Sequence, residues 1–467
     1  MYALRRWFSK RIGYPLLIFG RGARDRKMRA FIDEKLALAR RPREELAARQ
    51  LELLKPLLVH AGRNVPFYRR RFAEAGFDPA KVTSLDDLKR IPPLTKDDLR
   101  TQLDELITEG FDRSKLIHRA TGGSTGVPVK LYTDEEAFAH WEASEVVADE
   151  MSGWRPGEPI ALLWGANFEV SVSQNVMGRL RTLARNQLIL NTFKLDEAIL
   201  AGFHRQLTRF RPALLVGYTS ALMAMADWFE RSGTAPAYPT LSIINAAETL
   251  QAWQRERIEH VYGAPVFDRY GARDGGPMAM ECEAHNGLHV NVVDLVVEAN
   301  GGEPGEPQEL LITNLNAYGM PLIRYEIGDL AVFSDRVCTC GRTTPLFERL
   351  VGRITDVIHL ADGRLVPGEL FPHLLKDYPI VEFQVVQHAD RSLTIRAVQD
   401  RGYTPEHEAH IRRIVADHAG ALPVRFEYVE RIDRTRTGKL RPVVSEIQPG
   451  TGAVPEPRNL SCQGGVT

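Results

Sequence analysis

Four short runs in the middle of the chain are almost unbroken in apolar character: "PIALLWG" (159–165), "ALLVGY" (213–218), "LSIINAAE" (241–248) and "PVFDRYG" (265–271). Apolar and β-branched, with Gly or Pro at their bounds, they read as buried strands. Between them, "DEAILAGFHRQLTRF" (196–210) and "SALMAMADWFERSG" (220–233) repeat their apolar residues at helical spacing. Strands alternating with helices predict a layered α/β fold with a parallel sheet, whose ligands bind at the carboxyl ends of the strands. From Leu288 the pattern becomes denser in strands, with "LHVNVVDLVVEAN", "ELLITNL" and "DLAVF", and predicts a β-rich subdomain. After Val351 come "DVIHL", "VEFQVVQ", "LTIRAVQ" and "VRFEYVE", with a helical pattern at "PEHEAHIRRIVADHAG". These predict a separate α+β domain of roughly a hundred residues.

The first hundred residues read as helical. Residues 25–62 are charged and rich in Ala and Leu, the composition of long helices. Ser84 followed by Asp86 and Asp87, and Thr95 followed by Asp97 and Asp98, are helix starts with acidic first turns. Pro92-Pro93 separates them. The expected organisation is a basic helical arm (1–45), a large domain (46–350), a small domain (351–447) and a polar, Gly/Pro-rich tail expected to be disordered (448–467).

Bulk properties narrow the function. At 467 residues the chain exceeds one ordinary core. Lys+Arg and Asp+Glu balance at 60 each, so no global field draws in nucleic acid. Four cysteines in so long a chain argue against a disulfide framework and for a reducing, cytoplasmic setting. No apolar run reaches membrane-spanning length. The arm is basic around "YPLLIFG" (14–20) and allows peripheral contact with an anionic membrane, a packed arm being the plainer reading.

Chemistry concentrates first in "HRATGGSTGVPVKLYTD" (118–134). Gly122-Gly123-Ser124-Thr125-Gly126 matches the G-x-S-x-G of a nucleophile elbow, but an elbow leads straight into a helix. Pro128 and the alternating Val127, Val129 and Leu131 predict a strand instead. The spacing of a P-loop is also missing. What remains is a glycine-rich, hydroxyl-lined loop between two strands, suited to wrapping phosphates. A serine hydrolase using Ser124 stays as a remote alternative.

"ATGGSTGVP" (120–128) resembles the phosphate loop of adenylate-forming enzymes, the acyl-CoA synthetase and adenylation-domain superfamily. The segments that follow resemble that family in the same order: "NAAETL" (245–250), "RYGARDGG" (269–276), "RYEIGDLAVF" (324–333), "VGRITDVIHLADGRLVPGELF" (351–371) and "RTRTGKLRP" (434–442). "NVPFYRRRF" (64–72) with "SLDDLKRIPPLTKDDLR" (84–100) narrows the likeness to the phenylacetate–CoA ligase family, including its capsular polysaccharide biosynthesis relatives. The resemblance implies an ATP-dependent acid ligase that forms an acyl-adenylate, releases pyrophosphate and transfers the acyl group to coenzyme A. An amine or a carrier-protein thiol is the alternative acceptor.

It further implies a role for each matching residue. Thr121, Gly122, Gly123, Ser124, Thr125 and Gly126 would hold the ATP phosphates, and Asp274 would hold magnesium. Ala247, Glu248, Tyr270, Gly271, Arg273, Asp329 and Arg353 would line the adenine, ribose and α-phosphate. Lys439 would be the catalytic cation. Tyr132, Trp164, Tyr218 and Ala246 are the candidate acyl pocket. Arg273 and Asp274 depart from the family's Thr/Ser-Glu, "AAETL" departs from its Glu-Pro, and Thr355 stands where the hinge often has Asp.

Cys282 with His289, and Cys338-x-Cys340, offer a Cys₃His set for structural zinc. His285 competes as fourth ligand, and three buried thiols without a metal are the plain alternative. Similar pairings in the resembled family carry zinc in some members. The expected partners are a small carboxylic acid, ATP with Mg²⁺, and CoA or another acceptor, with a second copy of the chain as an open question.

Overall fold

The computed structural model describes residues 2–18, 23–120, 130–164, 180, 182–192, 195–353, 357–360, 365–367, 370–375, 378–419, 422–433 and 440–447. The chain divides into two units, Met1–Arg353 with Asp433–Arg441 and Ile354–Ile432 with Pro442–Thr467.

In the first unit, strands β1 (Ile117–Ala120) and β2 (Lys130–Thr133) pair antiparallel as a hairpin of their own. A sheet of eleven strands takes the rest. Its parallel part is β3 (Ile160–Trp164), β4 (Gln187–Asn191), β5 (Leu214–Gly217), β6 (Ser242–Ala246) and β7 (Val266–Ala272). Its antiparallel part continues with β8 (Gly276–Glu281), β9 (Leu288–Val290), β10 (Leu295–Asn300), β11 (Gln308–Asn314), β12 (Tyr325–Ser334) and β13 (Leu346–Arg353). The spatial order is β10-β11-β12-β13-β9-β8-β7-β6-β5-β3-β4.

The apolar runs are unbroken because both faces of the parallel strands are covered. Ala161, Leu163, Leu215, Ile243 and Val266 pack against helices Glu197–Phe210, Thr219–Ser232 and Ala252–Tyr262. The alternate residues Ile160, Leu214, Val216, Ile244 and Phe267 meet Ala143 and Ala148 of helix Glu135–Met151, and Met28 and Ile32 of helix Ala23–Leu38. Strand β3 has β4 on one side and β5 on the other, so the strand order reverses there. This is the switch point at which α/β sheets open a crevice at their carboxyl ends.

The helical stretch expected over 25–62 is two helices, Ala23–Leu38 and Arg43–Asn64, parted at Pro42. The second of these, with helix Pro66–Glu74, covers the antiparallel strands through Leu54, Leu57, Leu58 and Phe67 against Leu310, Ile312 and Ile327. Thr95 starts its helix as a reciprocal cap, its hydroxyl accepting from Asp98 N while Asp98 accepts from Thr95 N. The strand run expected over 288–300 is cut into β9 and β10, because Asn291 and Asp294 bond to each other across a turn, Nδ2 to Oδ2 at 2.9 Å. The basic arm is packed: Ser9 donates to the Ala184 carbonyl at 2.7 Å and Tyr14 is buried. Lys35, on the helix after it, is buried on Asp294, which also accepts from Ser144, Asn291 and Asn316.

The second unit is α+β. Strands β14 (Val357–His359) and β15 (Leu365–Pro367) form a ribbon. Strands β16 (Ile380–Gln387), β17 (Leu393–Gln399), β18 (Val424–Tyr428) and β19 (Val443–Ser445) form a sheet in the order β18-β17-β16-β19. Helix Pro405–Ala419 packs Ile411 and Val415 against Val385 and Ile395.

Candidate functional site

Two tyrosine–carboxylate bonds cross between the β7–β8 turn and strand β12. Tyr270, near the end of β7, donates its hydroxyl to Asp329 Oδ2 at 2.7 Å. Tyr325, at the start of β12 and fully buried, donates to Asp274 Oδ2 at 2.9 Å. Each segment thus holds the other's aspartate. The turn between them is tight: a Cβ on Gly271 would lie 2.9 Å from the Gly276 carbonyl oxygen, so only glycine fits there. Asp329 is also the cross-strand partner of Arg353 in the β12–β13 register. The side chain of Arg353 lies outside the described residues. Tyr325 lies inside the segment "RYEIGDLAVF", where its sequence signal is an aromatic hydroxyl four positions before the aspartate.

The turn after β6 is fixed by one buried amide. Asn245 is fully buried and satisfied on both sides. Its Oδ1 accepts from Thr219 Oγ1 at 2.6 Å, and its Nδ2 donates to Glu248 O and Asp268 Oδ1, both at 2.9 Å. Ala247 is held at φ 69° in the left-handed region. The Glu248 carboxylate accepts from Ser220 N and Ser220 Oγ, at 2.7 and 3.0 Å, at the start of helix Thr219–Ser232. Glu248 therefore serves the fold as a helix-terminus anion. Burial, then the charge of Glu281, raises the Asp268 carboxyl to about 7.

At the switch point Trp164 ends β3 and Tyr218 follows β5, their rings 4.7 Å apart. Ala246 ends β6 two strands away. Tyr132 lies elsewhere, on β2, with its ring edge-on to His118. The candidate acyl residues therefore form one group of three at the strand ends, with Tyr132 on the hairpin.

In the hairpin, Ala120 pairs directly with Lys130, so strand β2 follows the loop and helix Glu135–Met151 begins only after it. That geometry removes the serine-hydrolase elbow, which needs a helix immediately after its serine. Residues 121–126 themselves, and Lys439 and Thr355, lie outside the described residues. The turn carbonyl of Arg273 accepts from Arg119 Nη1 at 3.3 Å.

Cys282, His289, Cys338 and Cys340 bring one donor atom each within 4.8 Å of all the others. Cys282 follows β8, His289 sits in β9, and the other two lie in the β12–β13 connection. The Cys282 and Cys338 sulfurs are 3.5 Å apart, and Cys340 Sγ is 3.4 Å from His289 Nε2. Tetrahedral zinc with bonds near 2.3 Å separates its sulfurs by about 3.8 Å, so the four groups fit such an ion. The other ring nitrogen of His289 is 2.8 Å from the Thr344 hydroxyl, leaving Nε2 as the ligating lone pair. Burial, aided by Arg342, lowers His289 to about 4 and keeps it neutral. Burial also pushes the Cys282 thiol up to about 12, a bias that a bound dication would reverse. His285 is outside the group; its ring lies 4.6 Å from that of Phe267, and its Nδ1 is 3.3 Å from Glu281 Oε2.

The chain is similar to several known proteins. Residues 358–446 match the model of the CapK C-terminal domain. A phenylacetate–coenzyme A ligase of Thermus thermophilus is 28% identical over 443 residues, covering 86% of this chain and 97% of that protein. Protein CapK of Staphylococcus aureus is 25% identical over 398 residues, covering 83% and 86%. Among solved structures, 2-hydroxyisobutyryl-CoA ligase, described in the postadenylation state with R3-HIB-AMP, superposes with a TM-score of 0.70 at 21% identity, covering 87% of this chain and 91% of that one. That likeness establishes the fold. No helix among the described residues is long and apolar enough to cross a membrane.

Proposed function

We propose that this relative of the phenylacetate–coenzyme A ligases and CapK is itself an ATP-dependent acid ligase, joining a small carboxylic acid to coenzyme A through an acyl-adenylate. The observation that carries the reading is the crossed pair Tyr270–Asp329 and Tyr325–Asp274. It sets two carboxylates beside a turn and a strand whose residues match the family's nucleotide segments.

In this reading, the acid's carboxylate oxygen attacks the α-phosphorus of ATP, and the bond to the pyrophosphate oxygen breaks. The coenzyme A thiol then displaces AMP from the acyl carbon. Two anions must meet in the first step, so cations and oriented donors lower the barrier. Asp329 accepts the ribose hydroxyls, with Arg353 beside it in register. The hydroxyls and backbone of residues 121–126 hold the departing pyrophosphate. Lys439 brings positive charge to the carboxylate and α-phosphate. Ala247, half-buried on its left-handed turn, faces the adenine, while the Glu248 carboxylate is engaged at Ser220. Asp274 offers a hard oxygen to Mg²⁺, which when bound neutralises phosphate charge. The pair Trp164–Tyr218, with Ala246, favours an acid with an apolar or aromatic body.

The four-residue Cys/His group is proposed as a structural zinc site that ties the chain after β8 to the β12–β13 connection. It supplies no step of the reaction.

ATP–pyrophosphate exchange across a panel of carboxylic acids tests the central claim. Exchange with at least one acid, followed by thioester formation with coenzyme A, is expected. ATP binding without exchange for any acid would leave a nucleotide-binding protein and sink the ligase reading. Lys439→Ala is expected to lower exchange at least about a hundredfold with ATP affinity nearly unchanged.

A further inference from the structure

Strands β1 and β2 belong to no larger sheet, and a two-stranded ribbon is marginally stable alone. Side chains must therefore fix how the two strands sit. Strand β2 is anchored by Leu131, buried in the core beneath the antiparallel strands. The residue directly opposite Leu131 on β1 is Arg119. Directly opposed residues of an antiparallel pair project from the same face. An arginine thus stands on the inward face, one residue before the end of β1.

Arg119 is well provided for there. Its guanidinium lies 3.5 Å from the ring centroid of Trp141 and 5.1 Å from that of Phe138. Its Nη1 donates to the Arg273 carbonyl. Trp141 touches the same turn from its other end: a Cβ on Gly276 would come 3.1 Å from the indole ring. The helix that carries Trp141 is rigidly placed. Its cap Asp134 accepts from Ala137 N through Oδ1, and from Tyr318 N and Gly319 N through Oδ2, at 2.9–3.0 Å.

We propose that Arg119, stacked on Trp141, is a positioning residue that fixes the stem of the 121–126 loop against the Arg273–Asp274 turn. The inference rests on the ligase reading, in which those two segments grip the phosphates and the magnesium of one ATP. Arginine suits the task where lysine does not. Its planar group stacks on the indole and still aims an N–H at a carbonyl. Displacing either segment by about an ångström is enough to cost a hundredfold in rate.

The test compares Arg119→Lys, Trp141→Leu and Trp141→Phe in full-length protein. Arg119→Lys keeps the charge and loses the stack; Trp141→Phe keeps a flat face. Adenylation should fall about ten- to a hundredfold in kcat for Arg119→Lys and Trp141→Leu. The melting temperature should move little, and the Mg²⁺ concentration for half-maximal rate should rise. Trp141→Phe should recover most of the loss seen with Trp141→Leu. Unchanged kcat and Mg²⁺ dependence in Arg119→Lys and Trp141→Leu would overturn the proposal. So would equal losses in all three variants in step with their melting temperatures, the signature of a purely structural role.

Calorimetric titration with ATP, with and without Mg²⁺, separates this from failure of the ligase reading. If the wild type exchanges with no acid yet binds Mg·ATP more tightly than ATP, the ligase reading fails alone. The inference then stands if Arg119→Lys erases that preference and falls if the preference persists. A wild type that binds no Mg·ATP overturns both.

Discussion

Tyr325 shows how much one hydroxyl can carry. It is fully buried, and its O–H donates to Asp274 at 2.9 Å. Tyr325→Phe removes that donor and keeps the ring, so a stability loss of about 0.5–1.5 kcal/mol is expected by denaturant unfolding. In the ligase reading Asp274 also loses its orientation, and the Mg²⁺ optimum of exchange should shift upward. Asp268 is the second residue with a measurable signature. Its carboxyl titrates at about 7 in the fold, above its ordinary value of 3.8, so the native chain holds a proton that the unfolded chain releases. That contribution is complete below pH 3.8 and is lost as pH rises through 7. Asp268→Asn cannot titrate. From pH 5 to pH 8 the wild type should therefore weaken relative to Asp268→Asn, by about 1–3 kcal/mol in unfolding free energy. A constant difference across that range would show that Asp268 is ionised throughout. Of these residues, the sequence singled out Asp274 by its place in a motif. Tyr325 and Asp268 acquire their roles only through partners 51 and 13 positions away, Asp274 and the Glu281 carboxylate.

Gly276 sits where three elements meet: it opens β8, has φ 78°, and faces the indole of Trp141 on helix Glu135–Met151. Gly276→Ala places a Cβ in a left-handed conformation and 3.1 Å from that ring. A loss of about 1–3 kcal/mol is expected in thermal or denaturant unfolding. At this scale legibility followed burial. The strands β3, β5, β6 and β7 are plain in the sequence because two covered faces make most of their positions apolar. Strand β4 is not, since "QLILN" is an edge strand whose residues are mostly half-buried. Pro128 and its alternating neighbours predict the hairpin, and its paired strands are present on either side of the loop. Cutting 288–300 into two strands is illegible, because the Asn291–Asp294 turn is held by partners that Asp294 finds outside it, Lys35, Ser144 and Asn316.

Across the whole molecule, the order of motifs carried the information that composition could not. A balanced charge and an average apolar content narrow the function only a little, whereas segments resembling one family in series from 120 to 442 point to the fold and to the proposed chemistry together. The Cys/His group is the feature at this scale with the simplest removal experiment. Purified protein should contain about one zinc per chain, and stripping it with a chelator should lower the melting temperature of the first unit. Cys282→Ser should reduce the zinc content; full retention of metal in that variant would remove Cys282 from the ligand set. His285→Ala should leave the zinc content unchanged, because its ring is paired with Glu281 and Phe267.

The buried pair Lys35–Asp294 has a consequence in time. The two residues are 259 positions apart. During synthesis at roughly 5–20 residues per second, Lys35 is made about 13–50 s before Asp294 exists. A lysine destined for the interior stays in water for all that interval, since an ammonium without its counter-charge is costly to bury. The helix Ala23–Leu38 is therefore expected to seat only once the turn before β10 has been made. A helix made early in synthesis thus waits for a turn made 259 positions later.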